Sequence, residues 1–307
     1  VKFALTILGS SSALPTSKRF PTAHLLNVNE RFFLIDCGEG TQMQLRKLRA
    51  GFGKINHIFI SHLHGDHVFG IFGILSSFQL LGRKNCLNIY APEGFRNILE
   101  FYKENFAQDQ SYEIVHHRLG ERGKNLIFED KIVEVYSFPL KHRQTTLGFL
   151  FREKPHDFNF RKEAMAYYKP GIEQIKEIKQ GADLVLADGT VIPNAVLTLP
   201  PWKTRSYAFC SDTAYDPRIV KHISGVDLLY HEATFSVADE NLAAQTMHSS
   251  SRQAAQIAKN AGAGKLLIGH FSSRYRDLQV LLNEAREIFP DTEIVEDGNV
   301  YEIPKTR

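Results

Sequence analysis

Residues 62 to 67 read His-Leu-His-Gly-Asp-His, three imidazoles and one carboxylate within six positions of a turn that follows an apolar run. Imidazole nitrogens and a carboxylate oxygen are the donor set of zinc or a similar borderline cation. Four donors packed this tightly cannot all reach one tetrahedral ion comfortably. The spacing therefore predicts two cations about 3.5 to 4 Å apart, the arrangement of two-metal hydrolases. Two such ions need further donors from distant parts of the chain. His142 follows "VEVYSFPLK", Asp212 follows "YAFCS" and His270 follows "KLLIG". A lone His or Asp at a strand end is usually a cap or a hydrogen-bonded core residue. Three apolar strands that each run out into a metal-ligating side chain make a ligand set the better reading.

These residues require a scaffold that brings strand ends to one edge. "INHIFIS" reads as a buried strand ending just before the cluster, with His62 and His64 alternating on extended backbone and Asp66 and His67 opening the next helix. "KFALTIL", "HLLNV" and "RFFLID" read as earlier strands, and "GTQMQLRKLRA" as a helix. "LNIYA" followed by "PEGFRNILEFYKENF" repeats the strand-then-helix unit, with Pro92 near the helix start. Strands dominate from residue 112 to 151. The alternation breaks from 152 to about 205, where charged and aromatic residues surround Pro155, Pro170 and a hairpin-like "ADGT", so this stretch reads as an inserted arm. It then resumes with "YAFCS", "VDLLYHE", the helical "SRQAAQIAKNAG", "KLLIG" and the helical "LQVLLNEAREIF". The two flanking stretches are similar enough in composition to form two halves of one core.

Composition bounds the remaining possibilities. A chain of 307 residues with 43% hydrophobic content can bury a large core. No apolar stretch is long enough to span a bilayer, so no membrane partner is expected. The three cysteines, Cys37, Cys86 and Cys210, are far apart and sit in apolar segments, which points to a reducing, cytoplasmic setting without disulfides. A net charge of +3 does not by itself declare a nucleic-acid binder. The glycines of "GEG" and "HGDH" are better explained by tight turns than by a nucleotide cradle, and no nucleotide cofactor is expected.

The cluster "HLHGDH" is shared by the metallo-β-lactamase superfamily. Beside it stand "FLIDCGEGTQMQL" (33 to 45), "FPLKHRQTTLGF" (138 to 149), "FCSDT" (209 to 213), "YHEATF" (230 to 235), "MHSSSRQAA" (247 to 255) and "IGHFSSRY" (268 to 275). With these motifs the sequence closely resembles the ribonuclease Z family, and the likeness covers nearly the whole chain. The resemblance implies an α/β, four-layer αββα sandwich over residues 1–307 with a tRNA-gripping arm inserted at 152–197. It implies a zinc-dependent endoribonuclease that removes the 3′ trailer of precursor tRNA, acting as a homodimer.

Carried over residue by residue, the likeness places one metal on His62, His64 and His142 and a second on Asp66, His67 and His270, with Asp212 bridging. Two zinc ions per subunit are implied, with manganese or magnesium as substitutes. Asp66 would handle the proton of the attacking water, and Glu232 would hold His248 as proton donor to the leaving oxygen. Without the family, Glu232 could equally be a surface or capping carboxylate and His248 a helix-end residue. Ser249, Ser250 and Arg274 could hold phosphate, a helix cap being the alternative for the serines. Lys18 and Arg19 lie in an early loop, "LPTSKRFPTA", where relatives carry a P-x-K-x-R pattern that senses the tRNA 3′ end. The arm interleaves basic residues with Phe158, Phe160, Tyr167 and Tyr168, which suits RNA, and reads "YKPGIEQ" where many bacterial relatives carry a Gly-Pro pair. Asp36 is expected to order the metal-binding loop rather than to ligate. Two other classes compete: a small-molecule phosphodiesterase or arylsulfatase-like hydrolase, which would need no basic arm, and a non-catalytic RNA-binding relative, which would have lost ligands.

Overall fold

The computed structural model describes residues 2–107 and 110–307. Two seven-stranded sheets form the frame. Across the first run Val300–Glu302, Phe3–Gly9, Ala23–Val28, Arg31–Ile35, Ile55–Phe59, Leu87–Ala91 and Ile114–Arg118. Across the second run Thr292–Ile294, Lys265–Gly269, Leu228–Glu232, Ser206–Cys210, Thr146–Glu153, Val133–Leu140 and Asn125–Glu129.

Alternation along the strands decides the layering. In the first sheet Phe33, Ile35 and Phe59 point into a core shared with the second sheet, while Leu34, Ile58 and Ile60 point the other way. Between the sheets the Phe59 ring centroid lies 5.6 Å from that of Phe149 and 5.4 Å from that of Phe151. Such aromatic pairs contribute about 0.5–1.5 kcal/mol each beyond their buried area. The outer face of the first sheet is covered by helices Thr41–Lys47, Ile71–Leu80 and Phe95–Phe106. Ser251–Ala261 packs on the strands of the second sheet, with Gln279–Arg286 against it. The result is the expected αββα order.

Helix Ser251–Ala261 shows how local sequence sets an element. Ala254, Ala255, Ile257, Ala258 and Ala261 form one buried stripe at helical spacing. Ser250 caps the N-terminus by accepting from the Gln253 amide, and the Gln253 side chain accepts from the Ser250 N–H in return. Gly262, at φ 62°, takes the left-handed conformation that ends the helix.

Register then delivers the chemistry. Ser206–Cys210, Leu228–Glu232 and Lys265–Gly269 are parallel neighbours, with Cys210 opposite His231 and His231 opposite Ile268. Asp212, Glu232 and His270 consequently leave the second sheet at one edge. In the first sheet Arg31–Ile35 and Ile55–Phe59 are also parallel, Ile35 facing Phe59, so Asp36 arrives beside Ser61.

Residues 153–205 with 304–307 form a second compact unit. Its small core holds Ala164, Ile178, Leu184 and Leu197, from the short helices Lys162–Tyr168, Ile172–Lys179 and Asn194–Leu197 and the strand Leu184–Val185. Leu184–Val185 pairs antiparallel with Val191–Ile192 around the "ADGT" turn. The first and last residues of the 153–205 stretch are joined by a buried ion pair, the Arg205 guanidinium donating to both Glu153 oxygens at 2.9 and 2.6 Å. Burial would raise the Glu153 pKa, but the Arg205 hydrogen bonds override it and hold the carboxyl below its usual value. A depressed carboxylate pKa contributes stability that is present above the unfolded-state value and lost as pH falls through the folded one. Arg205→Met should destabilise this unit by about 3–5 kcal/mol, because it strands a buried carboxylate. Urea unfolding at pH 7 checks this, and the penalty should shrink at acid pH as Glu153 protonates.

Candidate metal centre and active site

Side-chain donors from both sheets converge at that edge. On one side His62 Nε2 is 3.0 Å from His64 Nδ1, and His64 Nδ1 is 3.4 Å from His142 Nε2. Asp212 Oδ2 faces this trio, 3.6 Å from His62 Nε2 and 3.9 Å from His142 Nε2. On the other side Asp212 Oδ1 lies 3.3 Å from His67 Nε2 and 3.2 Å from His270 Nε2, while Asp66 Oδ2 lies 3.4 and 3.3 Å from the same two nitrogens. The two donor sets thus share one carboxylate, one oxygen turned to each.

The outward nitrogens explain why the inward ones converge. His67 Nδ1 bonds Asp36 Oδ2 at 2.7 Å, His142 Nδ1 bonds the Met247 carbonyl at 2.8 Å, His270 Nδ1 bonds Thr234 Oγ1 at 2.8 Å and His62 Nδ1 bonds Ser61 Oγ at 3.0 Å. Such tethers fix which ring nitrogen is free to ligate. Asp36, Met247 and His270 are non-glycine residues at φ 54°, 62° and 59°. Left-handed backbone at such residues costs about 1–3 kcal/mol and persists where its surroundings over-determine it. Here it orients one tether, another tether and one donor.

The chemistry of this set fits divalent cations. His67 Nε2 and Asp212 Oδ1 are buried without a hydrogen-bond partner, although they lie 3.3 Å apart. Burial opposes charge on His67, yet Asp66, Asp212 and Asp36 around it hold its pKa well above the usual value, so the pocket calls for positive charge between these atoms, which a proton or a cation can supply. Burial favours a neutral Asp212, yet the facing His270, His67 and His62 rings hold its pKa well below the carboxylate range. The site is built to keep anionic oxygen beside imidazole, the pairing a metal stabilises.

Close backbone approach seats the histidine turn. A Cβ on Gly38 would meet the Asp66 carbonyl at 2.5 Å, and one on Gly70 would meet the Gly38 carbonyl at 2.1 Å. These glycines serve packing of the "GEG" loop against the turn and its helix.

Next to the donors, His248 Nδ1 bonds Glu232 Oε1 at 2.8 Å, leaving Nε2 4.0 Å from Asp212 Oδ2. Glu232 is fully buried and accepts from the Thr213, Thr234 and Ser249 amides and the Thr234 hydroxyl, so its orientation is fixed. Burial lowers the His248 pKa, but the Glu232 carboxylate more than compensates and brings it up to about 9. The imidazolium is thus the neutral-pH form. A cleft of about 450 Å³ opens over these groups, bounded by Ser12, Ala13, Phe235 and Ser272 among others.

The weaker candidates fare differently. Ser249 and Ser250 are fully buried. Ser249 donates to the Thr213 carbonyl and Ser250 to Glu240, besides capping its helix. Both hydroxyls thus have partners within the fold, and the helix cap named as the alternative is formed by Ser250. Arg274 pairs with Asp239 at 3.4 Å and lies over Phe235, a wall of the cleft. Lys18 is exposed on the early loop, and Arg19 lies over Phe271 at 5.9 Å.

Sequence reading missed Ser61, Thr234, Met247 and Asp297. Thr234 stands inside the quoted "YHEATF", but Met247 acts through its carbonyl, which no side-chain pattern reveals. Asp297 accepts from Ser10 Oγ and the Phe20 amide at 2.7 Å each, clamping both feet of the early loop whose Ser12 and Ala13 wall the cleft. Asp297→Ala should loosen that loop and raise KM for the substrate several-fold. Metal content, measured by elemental analysis, should not change.

A sequence profile described as Anti-Pycsar protein Apyc1 matches residues 3–114, a stretch containing the donors His62, His64, Asp66 and His67. Ribonuclease Z of Bacteroides thetaiotaomicron is 47% identical over 97% of this chain and 94% of its own. Ribonuclease Z of Bacteroides fragilis is 45% identical over 97% of this chain and 98% of its own. Among solved structures, human tRNase Z, short form, superposes with a TM-score of 0.71 at 26% identity, covering 98% of this chain and 99% of that one. The metallo-β-lactamase fold protein YhfI from Bacillus subtilis, at 18% identity, a TM-score of 0.69 and coverage of 98% and 100%, shares the fold. With near-complete coverage by relatives of this identity, the chain belongs to the ribonuclease Z family.

Proposed function

We propose that this chain is a metal-dependent endoribonuclease that removes the 3′ trailer from precursor tRNA, leaving a 3′-hydroxyl on the tRNA and the phosphate on the trailer. The observation that carries the reading is the pair of donor sets sharing Asp212, with an imidazolium held by a buried carboxylate beside them, in a chain of this family. His62, His64 and His142 would hold one cation and Asp66, His67 and His270 the other, with Asp212 serving both. Two zinc ions are the proposed occupants, since imidazole nitrogen dominates the donor set. When bound, they supply Lewis acidity to phosphoryl oxygens and lower the pKa of water.

The chain's own groups do the rest. Asp66 would accept a proton from the attacking water. His248, protonated at neutral pH, donates from Nε2 to the leaving 3′ oxygen, while Glu232 fixes the ring through Nδ1 and stabilises its charge. Phe235 narrows the cleft and limits bulk water.

Substrate choice is proposed to rest on residues 152–197. Lys162, Tyr167, Lys169 and Lys179 are exposed there, Tyr167 with 80% of its surface free. Cations beside an exposed aromatic suit an RNA backbone with its ribose and base faces. Excising a large part of the segment would remove Ala164 and Ile178 from its small core, so point changes test the idea better. Lys162→Glu with Lys169→Glu and Tyr167→Ala should raise KM for precursor tRNA by about 10- to 100-fold. Turnover of bis(p-nitrophenyl) phosphate should be unchanged.

A homodimer is proposed on the family relationship, and light scattering of the purified chain tests it. No helix among the described residues is long and apolar enough to cross a membrane. The cytoplasm, where precursor tRNA is made, is the proposed location. The decisive experiment incubates zinc-loaded protein with an end-labelled precursor tRNA and maps the cut. One cut beside the discriminator base, or just after CCA, supports the reading. Hydrolysis of bis(p-nitrophenyl) phosphate with intact tRNA would replace it by a small-molecule phosphodiesterase.

A further inference from the structure

A second cleft adjoins the first at His142. It encloses about 400 Å³ between Gly123, the segment Pro139–His142 and the segment 216–222. Both of its main walls continue metal-donor strands: Val133–Leu140 runs into Lys141 and His142, and Ser206–Cys210 runs through Asp212 into Asp216 and Arg218. A polymer threaded across the donors therefore meets this cleft next.

Its charge is one-sided. Lys141, Arg218 and Lys221 line it, and all are exposed. Asp216 is the acidic residue among the lining groups, and it is buried and committed to Arg218, accepting from its Nε at 2.9 Å and its Nη2 at 2.8 Å while also capping the turn at Pro217–Ile219. That bidentate grip holds the Arg218 guanidinium in place, which lowers the entropy lost when the arginine meets an anion. No ion pair involves Lys141 or Lys221 among the described residues. Against the single carboxylate of Asp216, taken by Arg218, the walls thus present three cations, one fixed and two mobile.

We propose that this cleft binds the backbone phosphates of the single-stranded RNA downstream of the cut. The inference rests on the proposed cleavage of precursor tRNA. A volume of about 400 Å³ admits one or two nucleotides and excludes a duplex about 20 Å across. Upstream of a cut beside the discriminator base the adjoining strand is the paired acceptor stem, so the trailer is the unpaired tract that lies next to the cleft. The phosphate released at the cut also stays with the trailer, adding charge to the strand that the cleft would hold.

The test uses Arg218→Gln with Lys221→Gln, neither residue touching the donor sets. Two precursors are compared, one with a ten-nucleotide trailer and one with a single nucleotide, together with a 5′-phosphorylated ten-nucleotide RNA in an anisotropy binding assay. The variant should raise KM about tenfold for the long trailer, leave the short one and bis(p-nitrophenyl) phosphate within twofold, and reduce the salt slope of long-trailer cleavage by about 1–2. Equal effects at both lengths, or none at either, would overturn the proposal. If the wild-type chain cuts neither precursor yet binds the oligonucleotide in an Arg218- and Lys221-dependent way, the tRNA reading fails and the cleft stands as an RNA-strand site. Wild-type cutting with length-independent variants fails the cleft alone.

Discussion

Replacing His248 by alanine should lower precursor-tRNA turnover by about 10²–10⁴-fold, the range for loss of a positioned general acid, while leaving bound metal close to wild type. The expectation rests on position: His248 sits beside the donors, its Nδ1 is taken by Glu232, and only Nε2 faces Asp212. Loss of metal in this variant would make His248 a ligand and sink the assignment. The pH profile adds a second check. An acid must be protonated to act, so activity should fall as pH rises through the His248 pKa. Glu232 brings that value up to about 9, and bound cations nearby would pull it down, which puts the descending limb at or below about 9. Glu232→Gln removes the counter-charge and should move the limb to lower pH. A substrate with a better leaving group than a ribose 3′ oxygen should lose less activity in His248→Ala, because protonation matters less for it.

What could be read from the sequence divides along a physical line. Strand-end donors were legible because an apolar run terminated by His or Asp is a local pattern, and parallel strands bring such ends to one edge. The histidine turn was legible for the same reason, its residues being nearly contiguous. Side chains that work through distant backbone were not. Met247 offers a carbonyl in a left-handed conformation, and Asp297 reaches Ser10 and Phe20 across almost the whole chain. His24 is equally silent in sequence: it is buried between the sheets, bonded to the Tyr207 hydroxyl at 2.9 Å, and burial drives its pKa down to about 3. The serines of "MHSSS" show that hydroxyls beside a candidate acid can serve the helix next to it. Ser250 belongs to a capping box, and Ser249 is tied to a carbonyl.

Asp212→Ala should be more damaging than any other single change, abolishing activity to background and emptying both metal positions. Its two oxygens face different donor sets, so removing them takes one donor from each. His64→Ala or His142→Ala withdraws a donor from one set only, and elemental analysis should then find partial metal. Stability supplies an independent readout. Cations that bind the folded chain and not the unfolded one stabilise it by about 4 kcal/mol when present at a thousand times their dissociation constant. A chelator should therefore lower the melting temperature of the wild-type chain by several degrees. Asp212→Ala should melt at one temperature with or without chelator, because it has no bound metal to lose. That variant also takes from buried His67 one of the carboxylates that hold its pKa well above the usual value. Full metal occupancy in Asp212→Ala would show that the two donor sets are independent, and the shared carboxylate would then be a spacer between two sites.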